Sequence, residues 1–199
     1  MDIEKIKKAN TKILGKTIEY YEKIPSTHLL AKEEKKQELK NEIENRNGKI
    51  WIADTQTAGI GTKGRKWYTG IGKNIAITIL VKPKCTMKDI EGITVKIAQS
   101  IQKVIGELYQ IQLNIKEPND LMYNNKKLSG ILTEVNTIGE KINYILISIG
   151  MNVNEEYFDD DTKNIATSLK IELEKECSRE EIIVRILENL ENTVIGNIT

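Results

Sequence analysis

Apolar residues recur along this chain at two different periods, and the change from one to the other marks its elements. Near the start, Ile3, Ile6, Ile13 and Leu14 stand among lysines, which predicts a short surface helix from Ile3 to Leu14 ended by Gly15. Ile18 to Tyr21 reads as a first strand. Ser26 or Thr27 then caps a helix that runs through the charged stretch towards Asn45, its charge-rich face turned to solvent. Two isoleucine-rich runs, Lys49 to Asp54 and Asn74 to Val81, have the composition of sheet strands. From Met87 to Tyr109 the period becomes helical, with Ile90, Ile93, Ile97, Ile101, Val104, Ile105 and Leu108 on one side, so this helix should pack across the sheet.

Strands follow at Leu113 to Lys116, Leu121 to Tyr123, Lys127 to Asn136 and Ile142 to Met151, with turns at Asn124-Asn125 and Ile138-Gly139. The last three read as an antiparallel meander. Ser178 caps a closing helix from Arg179 to Val194 whose apolar side carries Ile182, Ile183, Ile186, Leu187 and Leu190. No repeat or low-complexity linker divides the chain. The pattern predicts one α+β domain over residues 1–199, a mixed, largely antiparallel sheet with helices on one side.

Composition narrows the function classes. A chain of 199 residues can bury a substantial core without disulfides or a structural metal. Thirty Lys and Arg residues nearly balance twenty-nine Asp and Glu, which argues against a general binder of nucleic acid or membrane surfaces. Cys85 and Cys177 are too few for a disulfide framework and lack metal-ligand spacing, so both read as ordinary thiols in a reducing cytoplasm. Neither a signal peptide nor a membrane span is visible, and the expected location is cytoplasmic.

Candidate chemistry gathers in two segments. In Gln56-Thr57-Ala58-Gly59-Ile60-Gly61-Thr62-Lys63-Gly64-Arg65-Lys66-Trp67, three glycines permit close backbone approach to an anion, and Lys63, Arg65 and Lys66 add positive charge. The second runs from Lys116-Glu117-Pro118-Asn119-Asp120 to Lys127-Leu128-Ser129-Gly130. Taken blandly, Pro118-Asn119-Asp120 is a turn, Lys127 a solvated turn lysine, and Ser26 and Thr27 only a helix cap. His28 is the sole histidine and belongs to no visible nucleophilic triad.

Pro25-Ser26-Thr27-His28, the glycine loop, Gly72-Lys73-Asn74, Pro118-Asn119-Asp120, Lys127-Leu128-Ser129-Gly130 and Gly150-Met151-Asn152-Val153-Asn154 occur here in the order found in biotin protein ligases, which the chain therefore resembles. The resemblance implies the class II synthetase-like biotin/lipoate ligase fold. It implies ATP-dependent ligation of biotin, through biotinyl-5′-AMP, to a lysine of a biotin carboxyl carrier domain. Biotin and ATP would be substrates, magnesium would be required, and exposed strand edges suit a homodimer.

Catalytic roles fall by this resemblance on Lys127, which would contact the biotin carboxylate and α-phosphate, on Asp120 and on Arg65. Asp120 would either orient the carrier amine or help to hold magnesium; no residue is assigned to a metal with certainty. Ligand contacts fall on Ser26, Thr27, His28 and Gln56, on Gly59, Ile60, Gly61, Thr62, Lys66 and Trp67 of the loop, and on Asn119, Gly130 and Asn152. Ser26, Thr27 and Gln56 carry groups suited to the ureido ring, and Asn152 matches an adenine-contacting asparagine. The chain departs from the family pattern at Ile60 and Thr62, where arginine is typical, at Glu117, where tryptophan is, and at His28, where asparagine is usual. An N-terminal winged helix and a C-terminal small β-barrel, both common in the family, are expected to be absent. Lipoate ligases and octanoyl transferases of the same fold are the nearest rivals; a non-catalytic biotin-binding module is another.

Overall fold

Seven strands form one sheet in the order β1-β2-β5-β9-β8-β7-β6, and a two-stranded hairpin, β3-β4, stands apart from it. The computed structural model describes residues 1–41 and 47–199. The strands are β1 (Ile18–Ile24), β2 (Ile50–Gln56), β3 (Gly59–Ile60), β4 (Lys66–Trp67), β5 (Ile75–Val81), β6 (Asn114–Lys116), β7 (Asp120–Tyr123), β8 (Lys126–Ile138) and β9 (Lys141–Met151). Among the described residues only strands β1 and β2 pair in parallel and the other strand pairs are antiparallel, so the expected mixed sheet is present. The helices are α1 (Ile3–Ile6), α2 (Thr27–Asn41), α3 (Ile93–Tyr109), α4 (Leu169–Leu173) and α5 (Arg179–Leu190).

The uninterrupted apolar run of β5 is explained by its place: every residue from Ile75 to Val81 is buried, with β2 on one edge and β9 on the other. One face of the sheet carries Ile50, Ile52, Ile77, Ile79, Ile147 and Ile149 into the main core, closed by α3 and α5. The opposite face presents Trp51, Leu80, Tyr144 and Leu146 to Ala31 and Leu30 of α2. Thus α3 and α5 share a side while α2 crosses the other, which corrects the expectation of helices on one side: the central strands carry apolar residues on both faces, and each face needs a cover. The charge of α2 is not all solvated either. Glu34 meets the fully buried Lys49 and accepts from Trp51 Nε1 at 3.0 Å, and Lys35 is buried near the Tyr144 ring. The part of this predicted helix beyond Asn41 lies outside the described residues.

The meander β7-β8-β9 and its turns follow the sequence reading, with Asn124 (φ 48°), Asn125 (φ 61°) and Gly139 (φ 60°) in the left-handed region that such turns need. Three helix boundaries differ, two of them where a side chain captures backbone groups. The first helix stops at Ile6 instead of Leu14, because the Glu191 carboxylate accepts the backbone N–H groups of Lys12, Ile13 and Leu14. The closing helix ends at Leu190, and Glu191–Ile195 forms a wider π-type turn that carries Glu191 to that task. The third helix starts at Ile93 rather than Met87, since Asp89 accepts both the amide and the hydroxyl of Thr86, at 2.8 and 2.7 Å, and makes a local turn. The short α4, capped by Ser168 on Ile171 N at 3.1 Å, had no periodic signal.

Candidate active site

The glycine loop folds as a small flap over the α2 side of the sheet. β3 and β4 pair Gly59 with Trp67 and Ile60 with Lys66, and the tip turns through Lys63 (φ 58°) and Gly64 (φ 71°). Gly59 admits no side chain, because a Cβ there would lie 2.4 Å from the Trp67 carbonyl oxygen. Arg65 folds back onto the loop, donating from Nη2 to Thr62 Oγ1 at 3.0 Å and from Nε to Thr62 O at 3.3 Å.

Trp67 is what the flap delivers to the sheet. Gly130 and Gly150 face one another across β8 and β9, and the indole lies on the bare backbone they leave. A Cβ on Gly150 would fall 2.4 Å from the ring, one on Gly130 at 3.1 Å. The indole N–H is buried without a hydrogen-bond partner among the described residues.

Beside the indole stands Lys127, its ammonium 5.4 Å from the ring centroid and 2.6 Å from an Asp120 carboxylate oxygen. Asn119 braces Asp120, donating to Oδ1 at 3.0 Å and to Ile131 O at 3.2 Å. The Lys127 backbone is clamped in turn, its N–H donating to Ile165 O at 2.7 Å and its carbonyl accepting from Thr167 N at 3.0 Å. Lys127 and Trp67 form a wall common to two hollows. The inner one, of about 40 Å³, is bounded by Ser26, Thr27, Gln56, Ser148, Gly130 and Gly150; the outer, of about 220 Å³, by Arg65, Lys66, Asn152, Phe158, Ile165 and Ala166.

Polar groups line the inner floor. Gln56 Oε1 accepts from Thr27 N at 2.8 Å, Thr78 Oγ1 lies 2.9 Å from Thr27 Oγ1 and 2.8 Å from Ser148 Oγ, and His28 Nδ1 lies 2.9 Å from Ser148 Oγ. Burial lowers the proton affinity of His28, against the pull of Glu134 at 3.2 Å. Burial pushes the Glu134 carboxyl up, but Lys32 and His28 together hold it below the usual range. Among the described residues no group of three or more His, Cys, Asp and Glu is arranged to hold a metal ion.

A sequence model of the biotin/lipoate A/B protein ligase family matches residues 20–152. The chain belongs to that family. Bifunctional ligase/repressor BirA of Bacillus subtilis is 32% identical over 182 residues, covering 89% of this chain and 53% of its own length. The chain thus spans about half the length of that relative. Among solved structures, biotin protein ligase from Aquifex aeolicus in complex with biotin and ATP superposes with a TM-score of 0.71 at 25% identity, over 89% of this chain and 70% of that one. Biotin protein ligase from Leishmania major in complex with biotinyl-5-AMP, at 24% identity and a TM-score of 0.70, shares the fold over 92% of this chain and 76% of its own.

The stretch matched by the biotin/lipoate ligase family contains every site residue singled out from the sequence. Of these, Ser26, Thr27, His28, Gln56, Ile60, Asn119 and Gly130 border the inner hollow, and Arg65, Lys66 and Asn152 the outer; Gly61, Thr62, Trp67 and Lys127 border both. Asp120 and Gly59 border neither, acting on Lys127 and on the flap backbone. Ser148 and Gly150 were missed as site residues, although their alternation with buried isoleucines puts them on the site face of β9. Phe158, Ile165 and Ala166 lie beyond the family match in a region without periodicity, and no sequence signal marked them.

Proposed function

We propose that this domain activates a biotin-like carboxylic acid with ATP and transfers the acyl group to a lysine of a biotin carboxyl carrier domain. The observation that carries the reading is the position of Lys127 on the wall between the two hollows. An acid seated in the inner hollow with its ring end on the Thr27-Gln56 floor would bring its carboxylate to Lys127. A nucleotide in the outer hollow, beside Asn152 and Phe158, would bring its α-phosphate to the same ammonium. A fixed cation there offsets the negative charge that builds as a carboxylate oxygen attacks phosphorus. The P–O bond to pyrophosphate breaks as the acyl-phosphate bond forms. In the second step the carrier amine attacks the acyl carbon and AMP leaves. The ion pair with Asp120 holds the Lys127 ammonium in place between steps.

Magnesium suits this chemistry as a counter-ion to the nucleotide phosphates, and Asp120, paired with Lys127, is the carboxylate that would help to hold it, because such ions are commonly held by one or two carboxylates plus phosphate oxygens. The names of the B. subtilis and A. aeolicus relatives support ligase chemistry with biotin and ATP. The hydrogen-bonding floor favours a ring that carries N–H and C=O groups over a dithiolane or an alkyl end. Pyrophosphate release from ATP, measured with biotin, lipoate and octanoate in turn, tests the reading. Biotin is expected to stimulate release by about tenfold or more over the other two. Equal stimulation by lipoate would move the assignment to the lipoate branch, and no stimulation by any acid would leave a binding module.

A further inference from the structure

We infer that His28 is a positioning residue which sets, through a chain of hydroxyls, whether the floor of the inner hollow can accept hydrogen bonds from the N–H groups of a bound ligand. The inference rests on the reading above, in which that hollow receives an acid with a nitrogen-bearing ring.

The chain is continuous from Gln56 to Glu134. Gln56 Oε1 lies 3.2 Å from Thr27 Oγ1, which lies 2.9 Å from Thr78 Oγ1, which lies 2.8 Å from Ser148 Oγ. Ser148 Oγ is 2.9 Å from His28 Nδ1, and His28 Nε2 is 3.2 Å from Glu134 Oε2. Each hydroxyl has one proton to give, so Thr78 can donate to Thr27 or to Ser148 but not to both, and its choice fixes what Ser148 exchanges with His28. Directed towards Gln56, Thr27 donates to Gln56, Thr78 to Thr27 and Ser148 to Thr78. Ser148 must then receive a proton from Nδ1 while Nε2 keeps one to face the Glu134 carboxylate, so this direction requires an imidazolium.

Directed towards His28, the neutral ring donates Nε2–H to Glu134 and accepts from Ser148 at Nδ1. Thr78 then gives its proton to Ser148 instead of Thr27, while Thr27 keeps donating to Gln56. The switch frees one lone pair on Thr27 Oγ1, a residue that borders the hollow. A ring presenting N–H donors therefore favours neutral His28. Among the described residues, the charged groups facing the imidazole are Glu134 of β8 and Lys32 of α2, which is itself 2.8 Å from Glu134; β5 and β9 bring Thr78 and Ser148 to it. Burial already tips the ring towards its neutral form, with Lys32 adding to that tendency and Glu134 opposing it.

Linkage is reciprocal, so a ligand that prefers neutral His28 must expel its proton, and must bind more weakly as the ring becomes charged. Biotin titrated into the intact chain from pH 8 to pH 5.5 by calorimetry, in two buffers of different ionisation enthalpy, reads both effects. Wild type is expected to lose affinity as pH falls through the midpoint of His28, approaching about tenfold for each pH unit below it, and to release protons on binding near that midpoint. His28→Asn, and Ser148→Ala, which cuts the chain while leaving the imidazole, are expected to show neither effect. Lipoate, which has no ring N–H, is expected to bind wild type without proton release. Should His28→Asn not fold by its unfolding transition, Ser148→Ala decides alone. Biotin binding with the same pH profile in wild type and variant overturns the inference while leaving the adenylation reading standing. No biotin binding by folded wild type at any pH overturns both.

Discussion

Gly150 shows how a motif residue acts through what it lacks. Its missing side chain lets the Trp67 indole lie against β9, and the same bare backbone continues to Gly130 on β8. The indole N–H left unpaired there is a donor that a ligand could satisfy. Gly150→Ala would drive a methyl to 2.4 Å from the ring. The flap should then lift and acid affinity fall by about tenfold, with a change in Trp67 emission, while core packing is retained; unchanged affinity and emission would show that the indole does not rest there. At this scale the sequence was informative where a glycine or lysine sat in a recognisable spacing, as at Gly130 and Lys127. It was silent at Ser148, since a serine in an isoleucine-rich strand carries no signal until the register places it beside His28 and Thr78. Asn74 was legible as a motif member but serves architecture, holding Val153 N at 3.0 Å and Glu155 at 3.2 Å.

Elements were legible where their stabilisation is local and periodic. The stripe of Ile93, Ile97, Ile101 and Val104 defines α3, and the Asn124-Asn125 turn fixes the β7-β8 hairpin. The α1 boundary escaped because a distant side chain competes for the backbone beyond it, and no window of sequence contains both partners; the start of α3 was instead shifted by a local turn between Thr86 and Asp89. Glu191 is that distant side chain, bonding a segment more than 170 residues away. Burial pushes this carboxyl up, but three backbone N–H donors outweigh it and hold it below the usual glutamate range. A carboxyl depressed on folding stabilises fully above its unfolded value of about 4.3, and the contribution is lost as pH falls through the folded value. Glu191→Gln should therefore cost about 2 kcal/mol at pH 7, less as pH drops below about 4, measured as the difference in unfolding free energy from wild type. A difference constant from pH 7 to pH 3 would rule out the ionised cap.

Across the whole molecule, the two faces of the sheet divide stability from chemistry. One face is closed by α3 and α5 over a continuous isoleucine core. The other is closed by α2 over Trp51, Leu80 and Leu146, and its remaining area, where the residues shrink to Ala76, Gly130, Ser148 and Gly150, is the floor beneath the flap. Mounting that floor on strands anchored by the opposite core keeps it rigid, while the flap that covers it hangs from a two-residue hairpin. The α+β class and the meander could be read from periodicity; the division of labour between faces could not, because it depends on which strands pair. The central claim is that two substrates meet at Lys127. Biotin-dependent exchange of labelled pyrophosphate into ATP isolates that meeting from any need for a carrier, and wild type should be compared with Lys127→Ala of equal thermal stability. Robust exchange in wild type, reduced by about a hundredfold or more in the variant, is the predicted result; exchange that survives the substitution would contradict it.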